Sequence, residues 1–574
     1  MRRAKAAISL VSAWGDAPIA AGLALAAGIS RLGLWSTRPG EPDSARYLIG
    51  MEQWLAHGPR AVMIYNQALS TGYYRIGMAL GHFAGSLSGL AGWLNGVSVL
   101  AATATAPLAY LLGRRWLGRG EALAAAAIWS FSPGIWWLGI EPHPQGPAIA
   151  CGLLALWAAA RSLESFRTKA ASIWWLAGMA AFTAALLLKS DLLLLLPAFP
   201  ALAIWRGHAA GAGRRWLAAL LPGAAIGFSL AARNAMVGIS LAHNLSTPSG
   251  SVAEFFNWPR GSLWVRQLLP VATSLGLGAW LLIVAGLGLS RWRRRQDIAA
   301  RAEQSGARPG FSFGAWKAAA TQAAGRVAAN GRLLMLLSWG LPGLFLWLLI
   351  AGNNTRHAIL FALPWLWVGC HAWRHAFQRL WVPGAALAAA LALNWIAIPA
   401  NSNITLYPSA NVPRSFTLLA RQQRRMRRLA AAISAAAHST AAPAIPAVSP
   451  ARTAPPRTAA WPVCYLGWYS NPYLEYDLLR GGRTKLERAG SALLVEQGRS
   501  RIAFLHVRSS GDFARAGSQC RRSYSLEYGP RGRHRWFLGE EWRRLPYWRR
   551  WYPGGRAPGH ELPAAAAAMA RRKS

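Results

Sequence analysis

The chain has 574 residues, of which 53% are hydrophobic and 14% charged. A water-soluble protein of this length needs far more polar surface, so a soluble globular enzyme is excluded. The formal net charge of +42 would suggest nucleic acid in a soluble chain, but here the arginines sit in short stretches between apolar runs. That is the pattern of the positive-inside rule, and no nucleic-acid partner is expected.

In chain order, apolar stretches at 17–35, 90–112, 121–140, 146–160, 171–188, 191–205, 216–232, 267–290, 333–351, 357–370 and 381–400 predict about eleven membrane-crossing helices. Their lengths bracket the ~20 residues needed to cross ~30 Å of hydrocarbon. The first is long for a signal peptide and lacks a small-residue cleavage site, so it is expected to be retained, with Arg31 snorkelling at its outer end. With a cytoplasmic N-terminus, the basic loops carrying Arg2 and Arg3, Arg114 and Arg115, Arg161 and Arg167, Arg214 and Arg215, Arg291 to Arg295, and Arg374 all fall inside. Loops 36–89, 141–145, 189–190, 233–266 and 352–356 fall outside. The resulting localisation is a multi-pass protein of the plasma (inner) membrane.

Three parts follow: a membrane domain over 1–400, a basic juxtamembrane segment and Pro/Ala-rich linker over 401–460, and an extracytoplasmic domain over 461–562 with a short tail, 563–574. The fold class expected is an α-helical polytopic membrane protein with a small C-terminal α/β or α+β domain. That domain shows strand-like runs at 463–468 and 501–507 and a helical run at 473–479. Arg421, Arg424, Arg425, Arg427 and Arg428 fall on the outer side of this topology. Either they form a basic helix on anionic headgroups, or the span count is off by one. Cys151 and Cys370 lie in spans as packing residues; Cys464 and Cys520 are candidates for a disulfide in an oxidising space. The basic loop 291–330 holds no Walker or GxGxxG pattern, so nothing points to a nucleotide donor.

Chemistry is expected in the first external loop. Residues 44–57 have helical spacing, with Tyr47, Leu48, Met51 and Leu55 on one face, and should lie along the membrane surface. Asp43 at its head is a good N-cap, and equally a carboxylate poised beside Arg46 to bind or deprotonate a hydroxyl. In the next external loop, Glu141 and His143 read either as turn residues or as a second acidic site. The Lys189-Ser190-Asp191 turn reads as a short polar turn with a local ion pair, or as part of the site. Arg233, His243 and the loop 235–262 read as an acceptor lid or as interface anchors.

The order of these features resembles the GT-C class of glycosyltransferases, which use polyprenyl-phosphate-linked sugars, in its lipid A aminoarabinose transferase and protein mannosyltransferase branch. Asp43-Ser44-Ala45-Arg46-Tyr47 reproduces that branch's Asp-x-Ala-Arg-Tyr pattern. Gly113-Arg114-Arg115, a span and Glu141 follow in the family's order, and Asn354-Thr355-Arg356-His357-Ala358 with Pro364 matches its later basic segment. The chain departs from the family in offering Glu141 and His143 where an Asp is usual, and in lacking a Lys-Pro-Pro segment near 70–74.

The resemblance implies transfer of a sugar from a polyprenyl-phosphate donor to a lipid, glycan or protein acceptor outside the cytoplasm. It implies Asp43 as base, with Glu141 aiding the acceptor or a divalent cation. Arg46, Tyr47, His143, Arg356 and His357 are the expected substrate and phosphate contacts. A single base predicts inversion at the anomeric carbon. A secondary transporter and a non-catalytic membrane scaffold are the rival readings; few charges lie within the spans, and no repeat relates the halves.

Overall fold

The computed structural model describes residues 15–32, 42–57, 70–164, 169–210, 212–237, 275–305, 330–344, 359–376 and 389, together with six strands between 463 and 537. The helices are α1 (Asp16–Leu32), α2 (Pro42–His57), α3 (Thr71–Ala84), α4 (Leu87–Gly113), α5 (Arg119–Ser130), α6 (Pro133–Leu138), α7 (Gln145–Glu164) and α8 (Lys169–Leu188). A 3₁₀ turn (Ser190–Leu195) precedes α9 (Ala198–Ala210) and α10 (Ala212–Val237). After α11 (Leu277–Ser305), α12 (Gly331–Met335) runs into a π-helical turn, and α13 (Ala362–Ala376) closes the described bundle.

Among the described residues, α4, α7 and α8 are long and apolar enough to cross a membrane, with shorter apolar stretches at Ser190–Trp205 and Ala219–Arg233. Leu25, Phe83, Leu100 and Ile173 are all more than 60% exposed. Large apolar side chains displayed in this way suit hydrocarbon rather than water. Helices approach closely where side chains are small. A Cβ on Gly178 would sit 3.1 Å from Leu221, and one on Gly152 would sit 2.7 Å from Leu195.

The expected span 121–140 is two helices. Pro133 removes a helical N–H, and Ser132 before it takes an extended conformation (φ −64°, ψ 147°), so α5 stops at Ser130 and α6 restarts. The expected span 191–205 likewise opens as a 3₁₀ turn before α9. Helix α11 continues to Ser305, well into the segment expected to be a loop. The expected span 381–400 and the basic segment 421–428 lie outside the described residues.

Charge sorts the bundle into two ends. Asp16 at the start of α1 accepts hydrogen bonds from Tyr110 (2.7 Å) and from Arg114 Nε (3.0 Å), and pairs with Arg119 (3.4 Å). Arg115 pairs with Glu164 at the end of α7. Glu121 lies 3.4 Å from both His371 and Arg374. Arg114, Arg115, Arg119 and Arg374 therefore gather at one end, beside acidic partners. The other end lies roughly 27 Å away, counted along α4 from Gly113 to Asn95 at about 1.5 Å per residue.

Arg31 does not snorkel. It is fully buried, donating from Nη1 to Ala27 O (2.8 Å) and from Nη2 to Ser130 O (2.7 Å). Its guanidinium thereby takes carbonyls near the C-termini of α1 and α5, which favours a cation there.

The strands β1 (Val463–Gly467), β2 (Lys485–Ala489), β3 (Ala492–Gln497), β4 (Ser500–His506), β5 (Ser523–Tyr528) and β6 (His534–Phe537) form one mixed sheet in the order β2-β3-β4-β1-β5-β6. β1 pairs in parallel with β4 and β5, while the outer pairs are antiparallel. Both strand-like runs expected from sequence are strands, and they are neighbours in the sheet. Cys520 and the helical run 473–479 fall outside the described residues.

Candidate active site

Helix α2 begins at Pro42, two residues earlier than expected, so Asp43 stands in its first turn rather than at the cap. Proline suits that first position because its missing N–H is unpaired there anyway. Asp43 stays within the part of the helix where a carboxylate is favoured by the dipole. The helix is buried more widely than its apolar spacing alone predicts. Ser44, Ala45, Tyr47, Leu48, Ile49, Met51 and Trp54 are all buried, which encloses more than one face. Two glycines of α3 admit α2 closely: a Cβ on Gly77 would meet Met51 Sδ at 2.1 Å, and one on Gly81 would meet Leu55 at 2.7 Å.

Tyr47, one turn after Asp43, is the hub of the site. Its hydroxyl lies 3.3 Å from Ser70 Oγ and 3.4 Å from Lys189 Nζ. Around its ring stand Tyr73 (5.7 Å between centroids), Tyr74 (5.9 Å) and His143 (5.4 Å), each edge-on. Lys189 is buried and 3.9 Å from Asp191. Residues 47, 70–74, 141–143 and 189–191 thus converge from four segments at the end opposite the arginine loops.

The loop after α6 is held by polar side chains of α4. Asn95 Nδ2 donates to Ile140 O (2.8 Å), and the Ser98 hydroxyl donates to Glu141 O. Glu141 and His143 are therefore buried at 3% and 0% exposure rather than solvated turn residues. His143 Nδ1 accepts the Gln145 N–H (3.1 Å), which leaves the proton of a neutral ring on Nε2. Burial pushes the Tyr73 phenol up, as do the neighbouring Tyr47, Glu141 and Tyr74; burial and Tyr47 do the same for Tyr74. Both therefore stay protonated as hydrogen-bond donors. On α2, burial pushes the Glu52 carboxyl up to about 7.

Position decides how Lys189 is held. It follows α8 directly, and Arg233 of α10 donates to Leu186 O at that helix end. Arg233 is thus a buried tie between helices and no lid residue. Arg46 is half-buried on α2. Arg356, His357 and His243 lie outside the described residues, as does the Asp43 side chain.

Ser70, Tyr73 and Tyr74 carried no site assignment from sequence, and Lys189 and Asp191 carried one only as the alternative to a local ion pair. One signal was present: Lys189 is the lone lysine between residues 170 and 316, in a chain that builds its basic loops from arginine. Among the described residues, no group of three or more His, Cys, Asp or Glu side chains is arranged to hold a metal ion.

A family model described as dolichyl-phosphate-mannose-protein mannosyltransferase matches residues 87–237, which include Glu141, His143, Lys189 and Asp191. No curated protein matches the sequence. Among solved structures, the oligosaccharyltransferase of Archaeoglobus fulgidus in its apo form is 12% identical with a TM-score of 0.44, over 80% of this chain and 64% of that one. The same archaeal enzyme in complex with an inhibitory peptide and a dolichol-phosphate gives 12% identity and a TM-score of 0.43, over 80% and 63%. ArnT from Cupriavidus metallidurans bound to undecaprenyl phosphate gives 15% and 0.37, over 74% and 65%. The chain thus spans under two thirds of these neighbours, and the structural likenesses are too distant to carry functional weight. The family model bears out the resemblance seen in the sequence: the chain is similar, through α4 to α10, to the GT-C glycosyltransferases.

Proposed function

We propose that this chain is a membrane glycosyltransferase that moves a sugar from a polyprenyl-phosphate donor to an acceptor hydroxyl outside the cytoplasm, with inversion. The observation that carries the reading is the convergence on Tyr47. A buried ammonium, several hydroxyls and a histidine meet there at the end of the bundle away from the arginine loops. If the arginine end is cytoplasmic, as the positive-inside rule requires, this site faces outward.

Transfer needs a base for the acceptor and a sink for the leaving group's charge. In the proposed step the acceptor oxygen attacks the anomeric carbon while its proton passes to the Asp43 carboxylate. The bond from that carbon to the phosphate oxygen breaks, and its electron pair leaves with the polyprenyl phosphate. The Lys189 ammonium and the Tyr47 and Ser70 hydroxyls, already within hydrogen-bonding reach of one another, receive the departing oxyanion. Arg46 and His143 complete the polar surround, and Glu141 orients the acceptor.

The test is sugar transfer by the purified, folded protein in detergent, supplied with a labelled polyprenyl-phosphate sugar and envelope-derived acceptors. Wild-type protein consumes the donor, and Asp43→Asn loses at least about 100-fold in rate while still inserting and folding. An Asp43→Asn variant with wild-type turnover sinks the assignment of the base. Donor left intact by the wild type sinks the reaction.

A further inference from the structure

We infer that the Tyr73 and Tyr74 hydroxyls are hydrogen-bond donors for the phosphate oxygens of a polyprenyl monophosphate, so that α3 forms one wall of the donor subsite beside Lys189. The inference rests on the donor class proposed for the site and assigns it two new contacts.

Both side chains are fully buried, and neither hydroxyl has a hydrogen-bond partner among the described residues. A buried hydroxyl without a partner loses its hydration with nothing in return. Phenylalanine would fill the same space without that penalty, so packing alone gives no reason for a tyrosine pair. The two rings flank Tyr47 edge-on, at 81° and 68° between planes, and the Tyr47 hydroxyl is itself the neighbour of Lys189 and Ser70. The same α2–α3 pair carries further buried polar atoms in this condition: Ser44 Oγ, Trp54 Nε1 and Glu52 Oε2. Such a concentration in two adjacent helices marks a lining built to be completed by a polar group.

The chemistry of the lining selects that group. Phenols whose ionisation is pushed up by burial remain donors, so the ligand must supply acceptors. The neighbouring ammonium favours an anionic acceptor. A phosphate with several oxygens meets both demands at once.

Phenylalanine variants separate a ligand role from a structural one. The probes are a short-chain polyprenyl monophosphate and the matching polyprenol without phosphate, and the readout is the thermal midpoint of the full-length protein in detergent. Wild-type protein is expected to be stabilised by the phosphate and not by the alcohol, because a ligand that binds the folded state raises its midpoint. Tyr73→Phe/Tyr74→Phe should keep or raise the ligand-free midpoint, yet weaken binding of the phosphate by about tenfold or more. Each single variant should fall between. A double variant with the wild-type phosphate response overturns the inference and leaves the donor class standing. A ligand-free midpoint that drops while the response persists also overturns it, since the hydroxyls would then serve the fold. If the wild type itself ignores the phosphate, the donor reading fails, and the inference with it.

Discussion

Lys189 Nζ lies 3.4 Å from the Tyr47 hydroxyl, a contact between residues 142 positions apart. It joins α2 to the end of α8 and places the site's buried ammonium. Replacing Lys189 with Met should lower transfer about 100-fold or more, because a charge-stabilising donor is removed from a dry site. Arg should retain part of the rate, and Tyr47→Phe should cost about tenfold through one lost hydrogen bond. Steady-state kinetics checks this, with the donor KM rising as kcat falls. Lys189→Met/Asp191→Asn, which removes the partner charge 3.9 Å away, should recover stability but no activity.

Much of the bundle was legible in the sequence, because long apolar runs such as 87–113 and 169–188 have few alternatives to helix. The basic loops were equally legible, since their charge density stands out against apolar spans. What the sequence hid was long-range. Nothing local announces that Ser70, Tyr73 and Lys189 meet at Tyr47, and the 121–140 run reads as one span until Pro133 is weighed. Arg31 was misread for a related reason: its partner, Ser130 O, lies 99 residues away and is a backbone group. The strands Val463–Gly467 and Ser500–His506 were visible as β-branched and aromatic runs, but their parallel pairing was not.

Glu52 should make stability depend on pH. Burial raises its folded-state pKa to about 7, from an ordinary value of 4.5, and Oε2 has no hydrogen-bond partner among the described residues. An acid that is harder to ionise when folded binds more protons folded than unfolded between those values. Stability is therefore full below the unfolded pKa and is lost as pH rises from about 4.5 through 7, by at most about 3 kcal/mol. Glu52→Gln should flatten the dependence and raise the melting temperature above pH 7. Melting curves from pH 5 to 8.5 would show it, and parallel slopes for variant and wild type would sink the idea.

Arg31 should act as a tie between α1 and α5, which lead to the segments carrying Tyr47 and Glu141. Its guanidinium joins Ala27 O at the end of α1 to Ser130 O at the end of α5. A Cβ on Gly139 would fall 2.3 Å from Nε, so the fit is close. Arg31→Ala leaves a cavity and takes the side-chain donor from Ser130 O, while Ala27 O keeps its helical N–H, at a cost of about 2–4 kcal/mol. Lys should restore part of that loss, because it can reach one carbonyl. The chemical-denaturation midpoint in detergent measures the difference.

Gly72 should be needed for activity more than for stability. A Cβ there would lie 3.0 Å from Leu187 Cβ, 3.1 Å from its carbonyl carbon and 3.2 Å from its carbonyl oxygen. Backbone atoms cannot rotate away as a side-chain tip does, so α3 must shift from the end of α8 to admit a methyl. Ser70 precedes Gly72 by two residues and Tyr73 follows it, while Lys189 follows Leu187 by two residues, so the shift opens the geometry around Tyr47. Gly72→Ala should cut transfer about tenfold, since misplacement of this order is costly to catalysis. Its effect on stability should stay near 1–3 kcal/mol, the usual range for overpacking. Gly120→Ala is the control, because nothing lies within 4 Å of the added methyl and the position is inside α5. It should leave transfer unchanged and stability equal or slightly higher; a Gly72→Ala variant as active as that control would show that the packing of α3 on α8 does not set the site.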